Sequence, residues 1–351
     1  MIERDRLKSR AIKSNSPVDW QNYKNAKNHA NNQIKKIKAA FYKDHFRTNS
    51  GNQQELWRSI NDLMLRNTKT DQNIQSIKTE IGNITSPMEI SESFNKHFTE
   101  IGPKLVSELG ETPRRFEEYI TPSNSNFNLN LVTPLEVRQQ LNNLPANKAT
   151  GLDKIPCRLV KEAAPIIAES ICKIFTCSIV TGVFPSDWTA ARVTPIHKTQ
   201  AKNDLNNYRP ISVISPIAKA FERMVYTQLY EYLSINNLLS KYQSGFRRLH
   251  STTTALLDAT TEWFLNMDMG KLNSVVFLDL SKAFDTVDHS ILLKKLSLYG
   301  ISQESLIWFS SYLSNRKQQC FVTGHLSVPR TITCGVPQGS ILGPLLFLII
   351  Y

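Results

Sequence analysis

Ser274-Val275-Val276-Phe277-Leu278-Asp279-Leu280-Ser281-Lys282-Ala283-Phe284-Asp285 is the stretch on which the reading of this chain turns. Its apolar, β-branched opening predicts a buried strand over residues 274–279. That strand delivers a carboxylate, Asp279, at its C-terminal end, and an aromatic, Phe284, follows five residues later. A strand end is a rigid mount, and a carboxylate oxygen suits a hard divalent cation such as Mg2+. Strands also end in Asp for capping and turn formation, so the segment alone leaves a metal role and a turn role open.

Outward from this stretch the pattern alternates. Residues 290–299 predict a helix closed by Gly300 as its C-cap. Residues 318–323 and 327–334 alternate around Gly324 and read as a hairpin. Upstream, residues 191–197 read as a short strand, and 217–234 and 252–267 as amphipathic helices. Interleaved helices and strands with a hairpin indicate an α+β or α/β architecture. Thr133-Pro134-Leu135-Glu136 is a capping box with Pro at the first helical position, and it opens a new unit. A Gly-containing loop, residues 148–156, and a long apolar helix, residues 159–180, follow it.

Residues 1–50 are basic and helical in pattern. Trp20, Tyr23, Ala30, Ile34, Ile37 and Phe41 keep a 3-4 spacing, so one side can pack. Lys27 fills one position of that seam, and with Lys24, Lys35, Lys36, Lys38, Lys43 and Arg47 it makes the segment basic, so the other side can face phosphates or solvent. Residues 54–65 and 87–109 look helical. Residues 67–86 and 111–130 are polar, rich in Asn, Thr, Ser and Pro, and read as linkers.

Composition narrows the class. With 351 residues there is room for two or three domain-sized units, and 41% hydrophobic against 21% charged residues argues against wholesale disorder. Lys and Arg outnumber Asp and Glu 42 to 30, a net charge of +12, which favours a polyanionic partner, nucleic acid before membrane. The five cysteines form no Cys-x-x-Cys pair, and the seven histidines do not fall at zinc-ligand spacing with them. Free thiols in a reducing compartment are expected, and the charged start, Met1-Ile2-Glu3-Arg4, carries no secretory signal. The apolar run 341–351 is too short to span a bilayer.

Several short blocks then occur in one order: Phe184-Pro185-Ser186-Asp187-Trp188 with Val193-Thr194-Pro195-Ile196-His197-Lys198; Asn207-Tyr208-Arg209-Pro210-Ile211-Ser212; Gln243-Ser244-Gly245-Phe246-Arg247; the 277–285 stretch; and Gly335-Val336-Pro337-Gln338-Gly339-Ser340. Together they resemble the polymerase domain of non-LTR (LINE-type) retrotransposon reverse transcriptases, over the C-terminal two thirds of the chain. Residues 148–156 and 313–318 match connecting segments of that family.

The resemblance implies a right-hand polymerase, α+β, with fingers and a partial palm in residues 131–351 and a basic, mainly helical N-terminal extension in residues 1–130. It implies templated DNA synthesis from an RNA template, a DNA primer and deoxynucleoside triphosphates, with two Mg2+ ions ~4 Å apart. Asp279 matches the first metal-binding aspartate, and the Leu280 carbonyl would be a neighbouring ligand. Phe284 matches the aromatic beneath the nucleotide sugar, where a planar ring excludes a 2′-hydroxyl. Lys198 and Arg209 match the cations that hold the triphosphate. Gln338 and Gly339 match the loop against the nucleotide, and Gly245, Phe246 and Arg247 match a template contact. Asp285 and Asp288 precede a helix and are read as caps.

The chain departs from the family in one respect. No Asp-Asp pair, which completes the family's metal site, occurs in it. The expectation is therefore a reverse transcriptase truncated before that motif, inactive as a polymerase in this form and poorly soluble because of its apolar end. The alternatives are a non-catalytic nucleic-acid-binding remnant and an inert product of a decayed element. A metal-dependent nuclease would also want Asp279, but it leaves the Arg209, Gly245 and Gln338 blocks without a purpose. An intracellular location, cytoplasm or nucleus, follows from the need to meet RNA and chromosomal DNA. The oligomeric state is not legible.

Overall fold

The computed structural model describes residues 2–49, 51–52, 55–57, 59–60, 74–79, 82–108, 110, 115–198 and 200–350. They fall into two compact units, Met1–Gln72 and Asn73–Tyr351.

In the first unit, α1 (Ile2–Ser14) turns into α2 (Pro17–Thr48) through Asn15, whose φ of 47° is a left-handed conformation that Asn tolerates. Pro17 then sits where a helix start asks for it. Ser14 Oγ donates to Asp19 Oδ2 at 2.6 Å, and Arg10 pairs with the same carboxylate at 3.2 Å. No residue of α2 is buried, and Trp20, Ile34, Ile37 and Phe41 of the expected seam are exposed. The helix expected over residues 54–65 lies largely outside the described residues.

The second unit opens with a small antiparallel hairpin, β1 (Ile77–Thr79) and β2 (Gly82–Ile84), inside a segment the sequence reads as linker. Three-residue strands are too short for a period-2 pattern to register. The hairpin is held by tertiary packing: Ile77 is buried with Ile90, Phe94 and Phe98 of α3 (Pro87–Ser107) and with Val193, Tyr208, Cys320 and Val322. Glu92 and Asn95 on α3 bond the backbone of Val328 at 2.6 and 2.7 Å, so α3 packs within this unit.

Thr133 caps α4 (Pro134–Asn142) as the sequence predicts. Its hydroxyl accepts from Glu136 N at 3.3 Å, and the Glu136 carboxylate accepts from Thr133 N at 2.8 Å. Next comes α5 (Cys157–Thr181), by length and composition apolar enough to cross a membrane. Its Val160, Ala164, Ala168, Ile171 and Phe175 are core residues, while Leu159, Ile166 and Val180 are exposed. The remaining elements are β3 (Ala190–His197), β4 (Tyr208–Val213), α6 (Pro216–Ile235), α7 (Thr252–Asp268), α8 (His289–Leu298), α9 (Gln303–Leu313), β5 (Lys317–Val322), β6 (His325–Leu326), β7 (Arg330–Thr331) and α10 (Leu342–Ile350).

The main sheet runs β4-β3-β5-β6 with β7 also on β5. β3 pairs antiparallel with β4 and parallel with β5, so the sheet is mixed. Helices α5, α6, α9 and α10 enclose the principal core. Phe175 stacks on Phe221 at 4.2 Å there, with Phe184, Trp308 and Tyr312 around them.

The strand expected over residues 274–279 does not form. Residues 271–280 carry no regular structure, and Phe277 and Leu278 are 87% and 88% exposed. The preceding helix, α7, buries none of its residues. The composition is that of a strand, but a strand exists only through a partner that takes its backbone hydrogen bonds. Among the described residues none lies beside this one. The main sheet is built instead from β3, β4 and β5 and does not include this stretch.

Candidate functional site

The β3–β4 hairpin presents two cations. Ile196 pairs with Arg209 in the antiparallel register, and Lys198 N donates to Asn207 O at 2.8 Å where the hairpin closes. Both side chains are exposed.

Two loops meet beside this hairpin. Val336 N donates to Phe284 O at 2.8 Å, Gly335 N to Val287 O at 2.7 Å, and Ser212 N to Gln338 O at 2.7 Å. The loop 335–339 is thus laced to the turn after residue 280 on one side and to β4 on the other. Gly339 has φ +124° and Gly335 φ +85°. A Cβ on Gly339 would collide with Ser212 O, and one on Gly335 would come within 2.9 Å of Asp285 Cα. Only glycine fits either place.

Where these loops touch, Gln338 Nε2 donates to both Asp285 oxygens, at 3.0 and 3.1 Å. Asp285 therefore does not cap α8. Asp288 does, accepting from Ser290 N and Ile291 N at 2.7 and 3.0 Å. Burial pushes the Asp285 carboxyl above its usual range, against the hydrogen bond from Gln338 and the charges of Lys282 and Lys198. Burial and then Lys198 push Lys282 down in turn. His97 of α3 lies by the same group; burial and Lys282 lower its pKa to about 4, with Asp204 opposing.

A small cavity of about 30 Å3 adjoins the pair, lined by Asp285, Gln338, Ser212, Gln318 and Arg316, with room for a water or two. Arg316 is 2% exposed, and its Nη2 has no partner among the described residues. Its Nη1 donates to Tyr312 O at 3.0 Å. Behind it, Glu222 of α6 is fully buried, accepting from Tyr312 Oη at 2.9 Å and from Ile341 N at 2.6 Å. Burial raises the Glu222 pKa, and the neighbouring Arg316 pulls the other way. This carboxylate ties the residues just after Gly339 to α6 and α9. Also behind Gly339 opens a cavity of about 370 Å3 that Lys148, Lys219 and Arg223 line.

Phe284 is half-buried and stacks on Phe347 of α10 at 4.6 Å, with Phe246 edge-on to Phe284 at 5.6 Å. The Gly245-Phe246-Arg247 turn is thereby brought against Phe284. Arg247 Nη1 donates to Ser240 O at 2.7 Å, so this guanidinium is partly spent on the turn itself.

Residues 196–351 match the reverse transcriptase (RNA-dependent DNA polymerase) family. Over 365 aligned residues, 99% of this chain, it is 26% identical to a probable RNA-directed DNA polymerase from transposon BS of Drosophila melanogaster. Over 236 residues, 67% of the chain, it is 32% identical to the RNA-directed DNA polymerase from mobile element jockey of the same fly. The transposon X-element counterpart is 26% identical over 358 residues. This chain carries a reverse transcriptase domain of the non-LTR type. It spans 38%, 26% and 38% of the lengths of those three relatives.

Of the residues expected to face the nucleotide, Phe284, Gln338 and Gly339 meet at the two loops beside the hairpin that carries Lys198 and Arg209, and Phe246 lies against Phe284. Asp279 and Leu280 stand apart in the exposed stretch. Among the described residues no group of three His, Cys, Asp or Glu side chains could hold a metal ion, and Asp285 is engaged by Gln338. This donor set does not fit a two-Mg2+ centre, which needs several anionic ligands. Asp285, Lys282, His97, Glu222 and Arg316 carry site chemistry that the sequence reading did not assign. The only signal for Asp285 was that it sits one residue from Phe284; its partner is 53 residues away.

Proposed function

We propose that this chain is the fingers and part of the palm of a non-LTR retroelement's RNA-directed DNA polymerase, working on an RNA template, a DNA primer and deoxynucleoside triphosphates. The observation that carries the reading is the junction of two sequence-distant loops, Phe284-Asp285 and Gly335–Gln338, beside the Lys198–Arg209 hairpin. In this reading Lys198 and Arg209 hold the triphosphate, a point charge and a planar fork. Phe284 lies under the sugar, where its Phe347 stack keeps the ring from yielding to a 2′-hydroxyl. Gln338 and Gly339 pack against the nucleotide. Gly245, Phe246 and Arg247 follow the template, and the Lys148, Lys219 and Arg223 cavity adds phosphate-binding charge. The fold is a right-hand polymerase, with the fingers and partial palm in residues 131–351; the β1–β2 hairpin and α3 pack within the same unit, so the basic extension is reduced to the first unit, Met1–Gln72. Its place of work is intracellular, where element RNA meets chromosomal DNA.

Asp279 and the Leu280 carbonyl supply one side of a Mg2+ site in this reading. Among the described residues no group of three carboxylate, histidine or cysteine side chains completes that site, as a two-ion centre would need. The 351-residue polypeptide is therefore expected to select a nucleotide without joining it. The test is the lifetime of its complex with an RNA template and DNA primer. A dNTP matching the templating base should lengthen that lifetime, and a mismatched one should not. Equal effects of both would refute the reading. Mg2+-dependent primer extension by this polypeptide would refute the expected inactivity.

A second reading, a nucleic-acid-binding protein without nucleotide selection, draws on the exposed lysines of α2. It predicts salt-sensitive RNA binding that ignores added dNTPs.

A further inference from the structure

We propose that Asp285 is the positioning residue of the nucleotide pocket, orienting the Gln338 amide so that its carbonyl oxygen is the acceptor offered to an incoming nucleotide. The inference rests on the nucleotide-binding reading of Gln338. Its own support is geometric. A glutamine amide has a donor end and an acceptor end of nearly the same shape, and only its surroundings decide which faces outward. An ionised carboxylate can only accept. With Nε2 at 3.0 and 3.1 Å from the two Asp285 oxygens, the donor end is committed inward. Oε1 is left without a donor among the described residues, on a half-buried side chain next to exposed Gly339.

The surroundings hold this arrangement. Asp285 O accepts from Cys334 Sγ at 3.3 Å, and the backbone bonds from Gly335 and Val336 fix the turn bearing Asp285 against the loop bearing Gln338. Lys282 and Lys198 face the carboxylate and favour its charged form against the cost of burial. The same two cations lie on the side expected to receive a triphosphate. A nucleotide arriving there meets a preset acceptor and pays no cost to turn it.

The test uses the full chain with two readouts. The first is the side-chain amide resonance of Gln338 in glutamine-15N-labelled protein, assigned by its loss in Gln338→Ala. It should be displaced and slow to exchange in the wild type, and it should move to the position of a free amide in Asp285→Ala. The second is the affinity of the preformed RNA–DNA primer complex for the matched dNTP. Asp285→Ala should weaken it about tenfold while primer–template affinity and melting temperature change little. Asp285→Asn keeps the shape but leaves one acceptor for Nε2 where the carboxylate has two, and should weaken it less than Asp285→Ala. Combined with Gln338→Ala, Asp285→Ala should add nothing further, the non-additivity of one unit.

An amide resonance indifferent to Asp285→Ala overturns the proposal. So does unchanged dNTP affinity in both Asp285 variants, or full additivity in the double variant. A wild-type complex that does not distinguish matched from mismatched dNTP removes the nucleotide reading itself and this proposal with it. The two failures are thus told apart by the wild-type control.

Discussion

At the scale of single residues, the pocket depends on atoms that a side chain would displace and on charges that cannot lose a partner. Gly339→Ala places a methyl group against Ser212 O at φ +124°. It should cost about 1–3 kcal/mol of stability, read as a lower urea midpoint with an unchanged slope. Glu222 and Arg316 form the reverse case. Each is buried, and the Arg316 charge acts on the Glu222 carboxyl without a direct ion pair between them, so Glu222→Leu leaves a cation in the core uncompensated and should cost about 3–5 kcal/mol by the same measurement. Glu222→Leu with Arg316→Met removes both charges and should cost clearly less than Glu222→Leu alone. If the double variant is the weaker one, the pair is not the coupled unit described. The close approach at Gly339 was legible in the sequence, but the Glu222–Arg316 arrangement was not. Glu222 looked like one polar position on an amphipathic helix, and its partners Tyr312 and Ile341 lie 90 and 119 residues away. Long-range polar pairs leave no local periodicity to read.

At the scale of elements, legibility followed locality. The α4 capping box at Thr133, the amphipathic α6, the helix α7 and the close of α8 at Gly300 are set by residues within a turn or two of each other, and the structure has all of them, though α7 buries no apolar face. The strand expected over 274–279 failed because half of what makes a strand belongs to its neighbour. The β1–β2 hairpin escaped notice because Ile77 owes its burial to α3. Helix α3 also carries a pH response. The His97 pKa falls from 6.5 to about 4 on folding, so the neutral ring is the form the fold prefers. That contribution is whole above pH 6.5 and drains away as pH falls toward 4. Thermal melts of the wild type should therefore drop more steeply from pH 7 to pH 5 than those of His97→Gln. Parallel curves would remove His97 from the account. The exposed run offers another test. Phe277→Lys with Leu278→Lys should reduce light scattering at high protein concentration and leave the melting temperature unchanged, since neither side chain is buried.

At the scale of the whole molecule, the excess of positive charge was read correctly as a property and could not be mapped from composition. The structure distributes it among α2, the β3–β4 hairpin and the cavity behind Gly339. Replacing Lys35, Lys36 and Lys38 together by Glu should flatten the dependence of RNA affinity on salt, leaving the matched-dNTP effect intact. A loss of that effect would mean the two activities are not separable. The parallel pairing of β3 with β5 has a further consequence. Residues 190–193 and 317–320 are hydrogen-bonded across the exposed run 271–280, so a backbone cut within that run severs the chain without severing the sheet. Chymotrypsin should nick at Phe277 or Leu278 first, and the two pieces should still migrate together under native conditions. The gene could then be divided at that point and its halves produced separately, giving a reporter that regains its structure only where both halves are present.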